Sequence, residues 1–299
     1  MLSLHYKNIT LLLLTNMEYI CISRSNGVTK NGSPFCTLKI QNLQETVNLA
    51  VWDVAPTAGP AVGQLVRFFN IQDRQGKKSA NATDMITEKF PAKEHPLYNL
   101  LPRPTEREVW DSTIAHLLSY CTDAALKPII QDFAKKLYDP YSKYPAATSV
   151  HHAFPGGLLN HTFQMLNMLD GLYPTLPYAI KIERCILAIL FHDYGKVYEY
   201  SKEGEPQEAM YLMGHIYISA HTLQNTLENA GIDKKEITRI IHCVLAHHGE
   251  REYGSPVVPC MQESIIVTIL DNLSAKVDTI EGTGEMEMCN ALGTHVIKG

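Results

Sequence analysis

Apolar residues recur at two different periods along this 299-residue chain. In the second half the period is helical. Leu158-Leu159 and Met165, Leu166, Leu169 and Leu172 surround His161 at the three-and-four spacing of one helix face. Cys185 through Phe191 reads as a buried helix that carries His192-Asp193 near its C-terminal end, with Gly195 as its stop. Ile237, Ile240, Ile241, Val244 and Leu245 repeat the pattern before His247-His248, and Ile266, Ile269, Leu270, Leu273 and Val277 repeat it around Asp271. Four helices thus aim polar groups at one interior, which is how a helical bundle builds a metal site.

The first hundred residues have another texture. Tyr19 to Ile22, Phe35 to Ile40, Val47 to Trp52 and Gln64 to Phe69 are short β-favouring runs, separated by turn material at Asn26-Gly27, Lys30 to Pro34, Pro56 to Gly63 and Arg74 to Lys78. Strands at such spacing predict a small barrel or sandwich. A proline-punctuated stretch, Phe90-Pro91 through Leu101-Pro102-Arg103-Pro104, reads as an ordered linker. Beyond it Thr105 and Glu108 have the spacing of a capping box for a helix through Val109, Ile114, Leu117 and Leu118. A further helix is expected from about Leu126 to Leu137, ending before Asp139-Pro140.

The net charge of -5 does not suggest a nucleic-acid partner, but its distribution changes that picture. Residues 1 to 100 hold ten Lys and Arg against seven Asp and Glu, so the remainder carries -8. The seven cysteines are odd in number and show no CxxC pairing, which favours a reducing cytoplasm over a disulfide framework. The run Ile9 to Leu14 is too short to span a bilayer and lacks the features of a signal peptide; it reads as a strand or core segment of a soluble protein.

Histidine and aspartate carry the candidate chemistry. His161, His192, Asp193, His215, His247, His248 and Asp271 are ligand types that divalent transition metals share, and a set this dense suits two ions with Asp193 between them. Burying so many ionisable groups without a metal costs on the order of several kcal/mol each. Lone histidines such as His116, His242 and His295 read instead as surface or core residues, and His221, six residues beyond His215 and off its helical face, reads as structural.

The order His161, His192-Asp193, Asp271, with His215 and His247-His248 between, resembles the HD-domain phosphohydrolases in their two-metal form. The stretches HHAFPGGLLNHT (151 to 162), HDYGKVYEY (192 to 200), GHIYIS (214 to 219), HHGEREYGSPVVP (247 to 259) and DNLSAK (271 to 276) resemble the YhaM-type 3'-to-5' exoribonucleases more closely still. That resemblance implies a multidomain α and β chain: a small β-barrel of the OB-fold type over 17 to 95, binding nucleic acid, then an all-α HD-domain bundle over 105 to 285. The TKNGSPF turn, the Trp52-Asp53 pair and the GQLV strand before a basic hairpin agree with an OB-fold.

The resemblance further implies hydrolysis of single-stranded RNA, with DNA as a second substrate class, at a dinuclear centre of Mn2+, with Mg2+, Co2+ or Fe2+ as alternatives. His161, His192, Asp193 and Asp271 would hold one ion, and Asp193, His215, His247 and His248 the other. Lys196 would reach the scissile phosphate as a point charge. His151 and His152 are candidate substrate contacts, and Glu252 to Pro256 a candidate wall of the nucleotide pocket.

In the OB region Trp52, Phe35, Phe68 and Phe69 are candidate stacking platforms, with Lys30, Lys39, Arg67, Arg74, Lys77 and Lys78 supplying charge. Of the adjacent pair Phe68 and Phe69, only one is expected to face a ligand. The chain departs from the family at Ser274, where relatives often carry an acid, and in its GTHVIKG tail; Ser274 is expected to hydrogen-bond Asp271. Two other classes fit parts of the pattern: an HD hydrolase of a small nucleotide or cyclic dinucleotide, and a non-catalytic single-strand-binding protein with a structural metal.

Overall fold

The computed structural model describes residues 18–55, 59–60, 62–88, 91, 94–101, 103–147, 151–176, 179–202, 204–282, 288–289 and 292–297. The apolar run Ile9 to Leu14 lies outside them, as do parts of the Pro56 turn and of the linker. Two compact units are present, one within residues 1–102, 149–154 and 279–299, the other within 103–148 and 155–278.

The first unit is built on one seven-stranded sheet. Its strands are β1 (Glu18–Val28), β2 (Pro34–Gln41), β3 (Thr46–Trp52), β4 (Leu65–Phe68), β5 (Gln72–Arg74), β6 (Lys77–Asn81) and β7 (Met85–Thr87), in the order β5-β6-β3-β2-β1-β4-β7. β1, β2 and β3 form an antiparallel meander, while β3 and β6 run parallel. Alternation selects the core. Cys36, Leu38 and Ile40 of β2 and Val47, Leu49 and Val51 of β3 point inward and pack with Tyr19, Cys21, Val66, Phe68 and Ala80.

The small barrel expected from the strand spacing is not closed. Among the described residues, the end strands β5 and β7 do not pair with each other. Each has only three residues, too short to supply a closing ladder. A separate two-stranded pair, β8 (Met288–Cys289) with β9 (Thr294–His295), also belongs to this unit.

The second unit is helical. Its elements are α1 (Arg107–Tyr120), α2 (Leu126–Tyr141), α3 (Gly157–Leu172), α4 (Ile182–Phe191), the short α5 (Lys196–Glu199) and α6 (Glu208–Leu212), α7 (His215–Asn229), α8 (Lys234–Leu245) and α9 (Gln262–Gly282), the last lying in this unit as far as Asp278. α4 is the axis of the core. Every one of its residues except Arg184 is buried, as expected of a helix that is apolar all round. Tyr141 closes over its end by donating a hydrogen bond from its hydroxyl to the Leu190 carbonyl at 2.6 Å.

Three local expectations are corrected by tertiary contacts. Thr105 does not cap α1: Glu106 holds that position, and both the Thr105 backbone N–H and hydroxyl donate to Asn160 Oδ1 on α3. Trp110, not Val109, enters the core there. α2 runs past Pro140 to Tyr141, because a proline in the last turn forfeits little of the ladder and Tyr141 is anchored in the core.

The third correction is the rotation of α9. Its inward face is Ser264, Val267, Leu270, Asp271 and Ser274, whereas Ile269, Leu273 and Val277 are exposed. Residues 267, 270, 271 and 274 share one helical face, so turning Asp271 toward the interior turns the four-spaced apolar series outward.

Candidate metal centre

Two of the histidine stations stand in turns just beyond helix ends. α4 stops at Phe191, so His192 is its C-cap and Asp193 follows it; α8 stops at Leu245, and His247-His248 follow Ala246. The last carbonyls of a helix lack partners within it. His192 Nδ1 donates to one of them, the Ile189 oxygen, at 2.8 Å, and His247 Nδ1 repeats the arrangement with the Val244 oxygen at 2.6 Å. A carbonyl can only accept, so the ring proton is fixed on Nδ1 and the Nε2 lone pair faces outward from the helix.

The other three rings are held by the same logic. His248 Nδ1 donates to the Tyr253 carbonyl at 2.8 Å. His161 Nδ1 donates to Ser274 Oγ at 2.9 Å, and that hydroxyl donates onward to Gln164 Oε1 at 2.8 Å. His215 Nδ1 lies 3.2 Å from Glu199 Oε1, which also accepts the His215 backbone N–H at 2.5 Å. All five imidazoles therefore turn Nε2 toward a common place, the orientation that supporting hydrogen bonds impose on ligating histidines.

They converge on Asp193. Its Oδ2 lies 3.3 Å from His192 Nε2 and 3.7 Å from His161 Nε2, and its Oδ1 lies 3.6 Å from His215 Nε2 and 3.9 Å from His247 Nε2. Asp271 Oδ1 joins the first side, 3.1 Å from His161 Nε2, and His161 and His192 bring their Nε2 atoms to 3.1 Å. The ligand atoms of His161, His192 and Asp193 lie within 4.8 Å of one another, and so do those of His215, His247 and His248. The carboxylate thus faces one cluster with each oxygen.

Electrostatics and hydrogen bonding both fit a cation here. Burial, reinforced by His248 and His192, holds the His247 pKa well below the ordinary imidazole value. Burial likewise lowers His248, with His215 adding to it. Burial opposes the charge of Asp193, but Lys196 and then His192 outweigh it and keep this carboxyl well below its usual range; for Asp271 burial is likewise outweighed, chiefly by the adjoining His161. Asp193 Oδ1, His215 Nε2 and His247 Nε2 are buried with no hydrogen-bond partner. Three such atoms aimed at one point would each cost on the order of 1–3 kcal/mol if left so, and a divalent ion satisfies all three at once.

Gly195 was expected to end α4 by its backbone freedom, but the turn is already made by His192 to Tyr194. Gly195 has right-handed torsions, and what it supplies is room: a Cβ there would collide with the backbone of His215. Its N–H donates to the buried Ser219 Oγ at 2.9 Å. This close approach brings α7, and with it His215, against the His192-Asp193 turn.

Lys196 is buried, with Nζ 2.7 Å from Asp193 Oδ2. Burial alone would lower its pKa, but Asp193 reverses the direction and raises it, so the ammonium stays charged. Ser274 does not bond Asp271 as expected; it serves His161, because its place on α9 faces α3. Glu199, Ser219 and Gln164 are supporting residues that the sequence reading passed over, although the first two lie inside the HDYGKVYEY and GHIYIS stretches.

His116 is exposed and bonded to Asp170, His242 accepts the Cys260 N–H, and His295 is exposed in β9. His221, read as structural, is exposed and stacks on Tyr217. His151 and His152 belong to the first unit, where His152 is buried with a left-handed φ of 47°, a conformation costing about 1–3 kcal/mol in a residue with a side chain. In the sheet, Trp52 is 38% exposed and packs against Phe35 with ring centroids 5.3 Å apart. Phe68 is core and Phe69 half-exposed, so one of that pair faces out.

The strand register places Phe35, Lys39, Trp52 and Lys77 on the outward face, whereas Lys78 aligns with the inward-pointing Leu49, its Nζ 3.7 Å from Glu45. Arg67 is taken up by Glu18 and Glu88. All seven cysteines are free, and among the described residues no helix is long and apolar enough to cross a membrane.

Comparison with known proteins adds to this geometry. Residues 158–276 match the HD domain family. Over 267 residues the chain is 30% identical to the 3'-5' exoribonuclease YhaM of Geobacillus sp. (strain WCH70), covering 87% of this chain and 81% of that protein. It is also 30% identical to the proteins of that name from Bacillus velezensis, over 87% and 84% of the two chains, and Bacillus subtilis (strain 168), over 88% and 86%. No solved structure matches the chain significantly. With relatives at this identity aligned over most of both chains, and with the HD ligand order in place, the chain belongs to the YhaM family of 3'-5' exoribonucleases.

Proposed function

We propose that the protein hydrolyses single-stranded RNA from its 3' end, with DNA as a second substrate class, at a centre of two divalent ions. The observation that carries this reading is the division of Asp193: Oδ2 toward His161 and His192, Oδ1 toward His215 and His247, with Oδ1 and the two facing Nε2 atoms otherwise unpartnered. His161, His192, Asp193 and Asp271 would hold one ion, and Asp193, His215, His247 and His248 the other. When bound, such ions supply an activated water and neutralise charge on the phosphate oxygens. The ions are taken as Mn2+, with Mg2+, Co2+ or Fe2+ as alternatives, since a mixed imidazole and carboxylate donor set accepts several divalent metals.

The chain's own residues do the positioning. Backbone carbonyls at two helix ends hold the tautomers of His192 and His247, and Glu199 and Ser274 hold His215 and His161. Lys196, charged and rigid beside Asp193, presents its remaining N–H donors to a non-bridging phosphate oxygen, where the negative charge of the transition state gathers. Residues 17 to 95 act as the single-strand-binding part and 105 to 285 as the hydrolase. Trp52 stacks a base, with Lys77 on the same face adding charge along the strand, and His151 and His152 contact the substrate as well. The free cysteines suit a reducing cytoplasm.

Incubation of the protein with 5'-labelled single-stranded RNA and Mn2+, resolved by length, tests this reading. A ladder shortening from the 3' end, abolished by chelation, is expected. Intact RNA alongside hydrolysis of a cyclic dinucleotide would replace it with the small-nucleotide reading.

A further inference from the structure

Beside the His215 and His248 rings the second unit contains a cavity of about 660 Å³, within the range of pockets that hold nucleotide-sized ligands. One end is formed by those two histidines. Its walls are Tyr217 and His221 of α7 and Tyr253 from the turn after the double histidine, and its floor is the apolar Ile241 and Leu245 of α8.

Tyr217 is 53% and Tyr253 68% exposed, and clustered exposed aromatics next to a reaction centre call for a ligand. Tyr217 and His221, four residues apart, are stacked within 7° of parallel with centroids 5.5 Å apart. His221 Nε2 in turn accepts from Asn225 Nδ2 at 3.0 Å, so the plate is braced from behind. Of the polar groups lining the cavity, Glu199 is already committed to His215 and Gln224 donates its amide to Glu228 at 2.9 Å. The lining thus offers π-faces and apolar surface but little that would discriminate one base edge from another.

We infer that this cavity receives the base of the substrate's 3'-terminal nucleotide, stacked against Tyr217 and flanked by Tyr253, and so sets which phosphodiester lies at the metal centre. This rests on the exoribonuclease reading. Stacking is tolerant of sequence because every base has a π-face, which suits an enzyme that must remove any nucleotide in turn. Tyr217 is here a positioning and binding residue that lies outside the metal-ligand set.

The test compares RNA ending in a normal nucleotide with RNA ending in a stable abasic ribose analogue, by kcat/KM for loss of the first residue. Wild type should prefer the normal end by on the order of tenfold or more, the worth of one stacked base. Tyr217→Ala should lose that preference, falling much further on the normal end than on the abasic one, and Tyr217→Phe should restore it. Equal losses on both ends, or none on either, would overturn the inference. A second readout is independent of cleavage: the fluorescence of a 3'-terminal 2-aminopurine, in metal-free protein, should be quenched on binding to wild type and not to Tyr217→Ala/Tyr253→Ala. Quenching without RNA shortening would keep the pocket and remove the nuclease reading; shortening without quenching or base preference would do the reverse.

Discussion

The two ends of α4 both gather ionisable side chains, mostly half-buried at one end and mostly buried at the other, and they treat them in opposite ways. At the N-terminal end Arg184 donates two hydrogen bonds to Glu236, at 2.9 and 2.7 Å, and a third to Glu263 at 2.9 Å, while Lys181 bonds Asp123 and Glu236 at 2.8 and 3.0 Å. At the C-terminal end His192 and Asp193 meet three more histidine stations, and buried Nε2 and Oδ1 atoms are left without partners. The first cluster is a closed shell and the second is an open one. Buried charge alone therefore does not mark a site; buried donor atoms that converge and remain unsatisfied do, since native interiors otherwise pair them.

The largest effect that would test this contrast is at the open end. Asp193→Ala should remove both metals and take activity down by well over the roughly 100-fold typical of a supporting residue. Elemental analysis finding one tightly bound metal per chain, the same in wild type and variant, would break the dinuclear assignment.

At the closed end Arg184→Met should cost stability instead, about 3 kcal/mol, because it takes the guanidinium from the buried Glu263 and leaves the half-buried Glu236 with Lys181 alone. Metal content of the folded variant should be unchanged. The pH dependence follows from Glu236, whose carboxyl is opposed by burial yet held below its usual range by Arg184 and Lys181. A depressed carboxylate contributes stability above its unfolded value of about 4.3 and loses it as pH falls through the folded value. Thermal unfolding of the two proteins should accordingly differ most near neutrality and converge in acid below about pH 4. A constant difference across that range would mean that the ion pairs contribute nothing specific.

Lys196→Ala should keep its metals and lose roughly 100-fold or more in turnover, as for removal of one transition-state contact; near-normal turnover would leave Lys196 as a local counter-ion of Asp193. Ser274→Ala should be milder, weakening metal affinity by about 10- to 100-fold through the loosened His161 ring. Metal titration measures it, and an unchanged affinity would show that His161 needs no such brace. The smallest effect is expected in the sheet. Trp52→Ala should weaken RNA binding by about 1–3 kcal/mol without altering metal content; equal affinity would take Trp52 out of the binding face.

Much of the helical unit was legible because burial on one side imposes a period. The stripes in α3, α4 and α8 are visible in Leu158 to Leu172, Cys185 to Phe191 and Ile237 to Leu245. α9 was legible as a helix but not in its rotation, since its four-spaced isoleucine, leucine and valine series competes with the face that carries Asp271 and Ser274. The strands were read where alternation was clear, in β2 and β3, while the three-residue β5 and β7 carry too few positions to show a period.

By itself the sequence determined the ligand types, their order and the helices that carry them, because metal chemistry restricts donors to a few side chains and amphipathic burial restricts their spacing. Only the tertiary structure decided which ring nitrogen faces inward, that Asp193 turns one oxygen to each cluster, that Gly195 is needed for contact with His215, and that Ser274 and Glu199 hold rings on other helices. Apart from the ring-nitrogen choice of His192, His247 and His248, which carbonyls three to five residues away fix, those are pairings between residues 16 to 113 positions apart. No local period encodes them, because each depends on where two separately formed helices come to rest against one another.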